Sequence, residues 1–87
     1  MKLNPFAIMA EQFDGSGLVF DPETNAAVSL NKTGVFLWNL LKDGRSEQEM
    51  AAALLEKYDG VTPEKAGADV RAFLDSLRER SLISDEG

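Results

Sequence analysis

The chain has 87 residues, 44% of them apolar, and a formal net charge of −6. This size suits one small domain with a single hydrophobic core. The chain has no cysteine or histidine, which excludes disulfides, thiolate metal sites and catalysis by either residue. Nucleic-acid binding needs clustered Lys and Arg to neutralise phosphates. The nine basic residues form no such cluster and are outnumbered by 15 acidic ones, which argues against that function.

Three strands are predicted in the first third of the chain. Residues 6–13 are apolar with rough alternation, and the turn sequence Asp-Gly-Ser-Gly follows at residues 14–17. Residues 18–20 and 26–30 flank Asp-Pro-Glu-Thr-Asn, where proline and asparagine suit a tight turn. The second and third strands are therefore expected to form a hairpin.

Two short helices are predicted next. The first spans residues 32–42, with Asn31 as its N-cap and Gly44 free to take the left-handed conformation that ends it. The second spans residues 47–58 and begins with a Ser-x-x-Glu capping box at Ser46.

The third helix is predicted over residues 63–80, with Thr62 as N-cap and proline in the first turn. Its apolar residues recur at helical spacing and define a stripe. After the helix, residues 82–83 are expected to fold back on the core and residues 84–87 to fray. The stripe consists of Ala66, Val70, Phe73, Leu74 and Leu77.

These elements predict one α+β domain over residues 1–87, with its structured part at about 6–83. A three-stranded antiparallel sheet followed by three helices resembles a winged helix-turn-helix. Trp38, surrounded by apolar residues, is expected in the core rather than at an interface. Other predicted core side chains are Phe36, Leu40, Leu54, Phe73, Leu74 and Leu77.

No catalytic, metal or cofactor site is predicted. Without His or Cys, only carboxylates, Lys and hydroxyls could act, and no pair of them suggests acid–base chemistry. Glu47 and Glu49 suit the first turn of a helix, where the macrodipole favours acidic residues. The loop at residues 14–17 lacks the alternating carboxylates of a calcium site. The chain is therefore predicted not to be an enzyme.

The third strand is the candidate binding element. An edge strand with unpaired backbone groups is a template for another peptide, and residues 26–30 are expected to present such an edge. Val28→Pro is accordingly expected to weaken peptide binding. On the third helix, Arg71, Asp75 and Arg78 form a charged edge that is either a solvated face or a rim selecting peptide side chains.

The run from Leu18 to Tyr58, followed by residues 69–83, resembles the PqqD family, named for the small chaperone of pyrroloquinoline quinone biosynthesis. The shared features are the strand-turn-strand ending at Leu30-Asn31, the helix closing on Asp43-Gly44, the capped second helix and the apolar third helix. Ser81 departs from the glycine usual in the family, which affects the geometry of the last helical turn.

The resemblance implies a non-catalytic chaperone that binds the leader of a ribosomally made precursor peptide. The leader would add to the third strand, pack against the third helix and be presented to a modifying enzyme, often a radical S-adenosylmethionine enzyme. Two alternatives stay open: a winged-helix DNA-binding module, which the acidic charge disfavours, and a regulatory or structural subunit that contacts a partner protein. The predicted peptide-binding residues are Ala26, Ala27, Val28, Ser29, Leu30, Val70, Arg71, Leu74, Asp75 and Arg78.

The N-terminal residues have no long apolar run and are interrupted by Pro5 and Glu11. We therefore expect neither a signal peptide nor a membrane span, and a cytoplasmic location. The identity of the peptide, its pathway, the partner enzyme and the oligomeric state do not follow from the sequence.

Overall fold

A three-stranded antiparallel sheet and three helices form the body of the protein, as the sequence predicts. The computed structural model describes residues 2–84. Its elements are β1 (Lys2–Leu3), β2 (Ile8–Glu11), β3 (Gly17–Phe20), β4 (Ala27–Leu30), α1 (Lys32–Lys42), α2 (Glu47–Lys57), α3 (Pro63–Glu79) and β5 (Ile83–Ser84).

The larger sheet has the strand order β2-β3-β4, so β3 is central and the other two strands form its edges. The turn between β3 and β4 begins at Asp21, whose carbonyl accepts the Asn25 N–H at 2.8 Å. Asn25 has a φ of 63°, the left-handed conformation that asparagine tolerates better than most residues. The hairpin prediction is confirmed, and the first strand is shorter than the predicted residues 6–13.

The helices begin at the predicted caps. Asn31, Ser46 and Thr62 each accept a backbone N–H from the first turn of the helix that follows, which satisfies a donor that the helix itself leaves unpaired. Gly44 ends α1 with a φ of 82°, as glycine readily does. α2 and α3 each end one residue earlier than predicted.

The core lies between the sheet and the helices. α1 packs on β3 and β4, and α2 packs extensively against α3. Trp38 is only 2% exposed, so its prediction as a core residue is confirmed. Phe36 and Leu40 are partly buried and pack against the core. The buried apolar residues are Val19, Leu30, Val35, Leu37, Trp38, Leu41, Met50, Leu54, Ala66, Val70, Phe73, Leu74, Leu77, Leu82 and Ile83.

A second, two-stranded sheet that the sequence did not predict joins the ends of the described region. β1 pairs with β5 so that Leu3 lies opposite Ile83 and Lys2 opposite Ser84. Residues 82–83 are buried, which confirms that they fold back on the core. The prediction of fraying is wrong for Ser84, because the ladder with β1 holds its backbone; residues 85–87 lie outside the described residues.

Ser81 follows α3 with a φ of 57°. This left-handed conformation costs a non-glycine residue about 1–2 kcal/mol, and it lets the chain reverse from α3 into β5. The resemblance predicted a changed geometry here; Ser81 instead takes a conformation that glycine would adopt without strain. None of the helices within residues 2–84 is long and apolar enough to cross a membrane.

Candidate functional site

β4 presents a free edge formed by alternate residues. The Asp21 N–H donates to the Ala26 carbonyl at 2.9 Å, so this pair bonds across the hairpin. In an antiparallel ladder, bonded and non-bonded pairs alternate. Val28, which lies opposite Val19 of β3, therefore also bonds inwards. The N–H and C=O groups of Ala27 and Ser29 consequently point away from β3.

Because of this alternation, Val28→Pro is not a suitable probe of the free edge. Val28→Pro would remove a donor from the ladder between β3 and β4, so it would damage the fold itself. The outward-facing N–H closest to the middle of the strand belongs to Ser29. A proline at Ser29 would remove this donor and leave the ladder with β3 intact.

A groove of about 440 Å³ runs between the free edge of β4 and one flank of α3. The start of α1 forms its third wall. The volume is large enough for several side chains of a bound segment. Its lining residues are Val28, Ser29, Leu30, Asn31, Thr33, Gly34, Leu37, Lys65, Asp69, Ala72, Phe73 and Ser76.

Small residues and satisfied polar groups shape the walls of the groove. A Cβ atom added at Gly34 would lie 3.0 Å from Leu30 Cβ, so the lack of a side chain lets α1 approach β4 closely. The Ser76 hydroxyl donates to the Ala72 carbonyl at 3.0 Å. The exposed side of α3 at Ala72 therefore presents a methyl group and no unpaired hydroxyl.

The two ends of the groove are charged. At the end near Asn31, Lys65 Nζ lies 3.7 Å from Asp69 Oδ1. At the opposite end, Arg80 Nε donates to the Ala27 carbonyl at 2.7 Å. α3 therefore runs alongside β4 in the opposite direction, and the middle of the groove lies between the Lys65–Asp69 ion pair and Arg80.

The predicted residues of α3 do not line this groove. Val70 and Leu74 are 0% exposed and belong to the core. Arg71 and Asp75 lie on the polar flank across the apolar stripe from the groove. Arg78 donates to Asp75 Oδ1 at 2.9 Å and faces the loop between α1 and α2.

An amphipathic helix has two polar flanks, and the sequence pattern does not say which one faces the neighbouring strand. The α3 residues that sequence reasoning missed are Lys65, Asp69, Ala72, Phe73 and Ser76. One signal could have found this flank: the small residues Ala72 and Ser76 lie one turn apart, where another backbone can approach the helix. Of the five predicted strand residues, Val28, Ser29 and Leu30 line the groove. Ala27 lies at its end, where it bonds to Arg80, and Ala26 precedes β4 and bonds to Asp21.

The three carboxyl groups with a clearly lowered pKa lie outside the groove. The Ser16 hydroxyl lowers the pKa of Asp14. The Glu23 N–H lowers the pKa of Asp21, assisted by the Asn4 amide 2.9 Å away. The Ser46 N–H lowers the pKa of Glu49. These carboxylates accept hydrogen bonds at turns and a helix cap, which is a structural role.

The comparisons with known proteins agree with this architecture. The sequence matches the family described as "Coenzyme PQQ synthesis protein D (PqqD)" over residues 17–83. The structure of "TbiB1 in Complex with the TbiA(beta) Leader Peptide" superimposes with a TM-score of 0.86 at 24% identity, covering 100% of this chain and 99% of that one. "Lasso peptide synthetase B1 complexed with the leader peptide" gives 0.78 at 27% identity, with 94% and 93% covered.

No curated protein matches the sequence significantly. The family match nevertheless extends from the start of β3 to the start of β5 and includes β4, α3 and the groove between them. The chain therefore belongs to the PqqD family.

Proposed function

We propose that this protein binds the leader of a ribosomally made precursor peptide and holds it for a modifying enzyme. The observation that carries the proposal is the position of the outward-facing backbone of Ser29, directly beside the groove along α3. Two solved structures that share the fold are complexes with leader peptides, which supports leader binding by this chain.

The leader would add to the sheet as a strand antiparallel to β4. Its backbone would exchange two hydrogen bonds with Ser29, which provides affinity independent of sequence. Alternate side chains of a strand point to the same side, so every second leader residue would enter the groove over Ala72 and Phe73. Selection would therefore depend on side chains that fit a space of about 440 Å³ with both apolar and polar walls.

The chemistry would belong to the partner. The chain has no Cys or His, and its carboxyl groups with a lowered pKa accept hydrogen bonds at turns and at a helix cap. The proposed role is therefore non-catalytic, and a radical S-adenosylmethionine enzyme is a candidate for the modifying enzyme. An antiparallel leader would enter near Lys65 and leave near Arg80, so the segment to be modified would emerge at the Ala27 end.

A substitution that fills the groove tests the proposal. Ala72→Leu places a larger side chain in the groove and keeps a good helix former on an exposed position of α3. We expect affinity for a candidate leader peptide to fall about tenfold or more, or ~1.4 kcal/mol, measured by calorimetric titration.

The matched control is Ala52→Leu, which makes the same change at an exposed position of α2, away from the groove. It should bind like the wild type. Equal affinity of the wild type and both variants would contradict the proposal, provided that thermal unfolding shows all three to be folded.

A further inference from the structure

Arg80 occupies a backbone group that a bound strand would otherwise use. Its Nε donates to the Ala27 carbonyl at 2.7 Å, and that carbonyl is one of the two that β4 directs to its free edge. A peptide N–H that paired with Ala27 would have to compete with this charge-assisted hydrogen bond, which is stronger than a bond between neutral groups. At the Ser29 carbonyl, which lines the open groove, no such contact is present among the described residues.

The position of Arg80 follows from the geometry of α3. The groove-lining flank includes Lys65, Asp69, Ala72 and Ser76, spaced three or four residues apart, and Arg80 is the next position on this flank. Directly afterwards, the left-handed Ser81 turns the chain into β5. Arg80 therefore stands at the point where the groove ends.

The guanidinium group has further donors at this position. It carries five N–H groups in a planar fork, and one of them is used by Ala27. Nη1 lies 3.9 Å from Glu79 Oε2, too far for a hydrogen bond, and the Arg80 side chain is 43% exposed. Such a fork matches the geometry of a carboxylate, which Asp and Glu side chains of a peptide supply.

We infer that Arg80 determines specificity at the exit of the groove: it ends backbone pairing after Ser29 and binds an acidic side chain of the peptide. This inference rests on the proposed leader binding. In an antiparallel strand, the peptide residue two positions after the partner of Ser29 lies opposite Ala27. The acidic residue is therefore expected two or three positions C-terminal to the residue that pairs with Ser29.

The test uses a displayed library of random dodecapeptides, selected on the wild type, on Arg80→Glu and on Arg71→Glu. Arg71→Glu reverses the same charge on the same helix, on the flank away from the groove. We expect peptides selected on the wild type and on Arg71→Glu to share Asp or Glu at one position in the C-terminal half of their consensus. Peptides selected on Arg80→Glu should lack this preference.

The consensus peptide and its acid-to-alanine version are then titrated calorimetrically into the three proteins. The acidic residue should improve affinity roughly two- to fivefold for the wild type and Arg71→Glu, as for a partly exposed ion pair, and not for Arg80→Glu. Ala72→Leu distinguishes a failure of the Arg80 inference from a failure of leader binding in the groove. If peptides bind in an Ala72→Leu-sensitive manner with the same consensus on all three proteins, the role of Arg80 is overturned and leader binding stands. If no peptide is selected, or Ala72→Leu leaves binding unchanged, both are overturned.

Discussion

The sheet has two edge strands, and among the described residues β4 adjoins a groove lined by a helix. At β4, the backbone groups of Ala27 and Ser29 point outwards beside α3. At β2, the Gln12 N–H bonds to the Ser16 carbonyl at 2.8 Å, so the groups of the preceding residue, Glu11, point outwards by the same alternation. The two edges thus offer similar backbone geometry.

Their surroundings differ. β2 packs mainly on β3, and its outward residue Glu11 carries a charge, a feature that discourages edge pairing. At β4, α3 and α1 supply walls that can hold side chains of an added strand. The comparison indicates that an unpaired edge alone does not make a binding site; in the proposed complex, the neighbouring helix would provide the selectivity.

Proline substitutions at the two edges are expected to give the largest difference in leader affinity. Ser29→Pro removes an outward N–H from β4 and places a ring where the leader strand would lie. We expect leader affinity to fall at least about tenfold, because one ladder hydrogen bond is lost and the approach of the strand is blocked. Calorimetric titration measures the affinity, and circular dichroism checks the fold.

Glu11→Pro is the matched control, because it removes an outward N–H from the other edge. It should bind the leader like the wild type. A greater loss of affinity for Glu11→Pro than for Ser29→Pro would assign binding to β2 and break the comparison.

The stability that Asp21 gives to the turn before β4 is expected to depend on pH. Asp21 is 3% exposed, and its lowered pKa means that the charged form is favoured in the folded protein. Its contribution to stability is therefore complete well above its ordinary pKa of 3.8 and is lost as the pH falls through the lower folded value. Asp21→Asn should be less stable than the wild type at pH 7, and the difference should shrink below pH 4. Urea unfolding across this range measures it, and a constant difference would show that the charge is irrelevant.

A smaller effect is expected at the turn that positions Arg80. Ser81→Gly relieves the left-handed conformation but adds backbone freedom to the unfolded chain, so we expect a gain of up to about 1 kcal/mol. Ser76→Gly, inside α3, should instead cost roughly 0.5–1 kcal/mol. Thermal unfolding compares the two, and destabilisation by both would mean that Ser81 is not strained.

Much of the fold could be predicted because local signals agreed with one another. Asn31 and Ser46 cap helices as their side-chain chemistry suggests, and Gly44 ends α1. The pairing of β1 with β5 could not be predicted, because two-residue strands have no periodicity and their partners are at opposite ends of the described chain.

The residues that line the groove were predicted better on the strand than on the helix. Alternation along a strand places the Val28 and Ser29 side chains on opposite faces, but the inward or outward direction of their backbone groups depends on the ladder register, which only the structure provides. On α3, the charges of Arg71 and Asp75 drew the prediction to the flank that does not line the groove. Ala72, which carries no charge, lies beside β4 instead.

Chemical-shift mapping tests the central claim most directly. The isotope-labelled domain is titrated with a candidate leader peptide, and backbone amide shifts are followed. The account predicts the largest shifts in residues 27–30 and on the groove flank of α3, at Lys65, Asp69, Ala72 and Ser76. Largest shifts at β2, in α2 or in the turn at residues 14–17, with residues 27–30 unchanged, would contradict strand addition at β4.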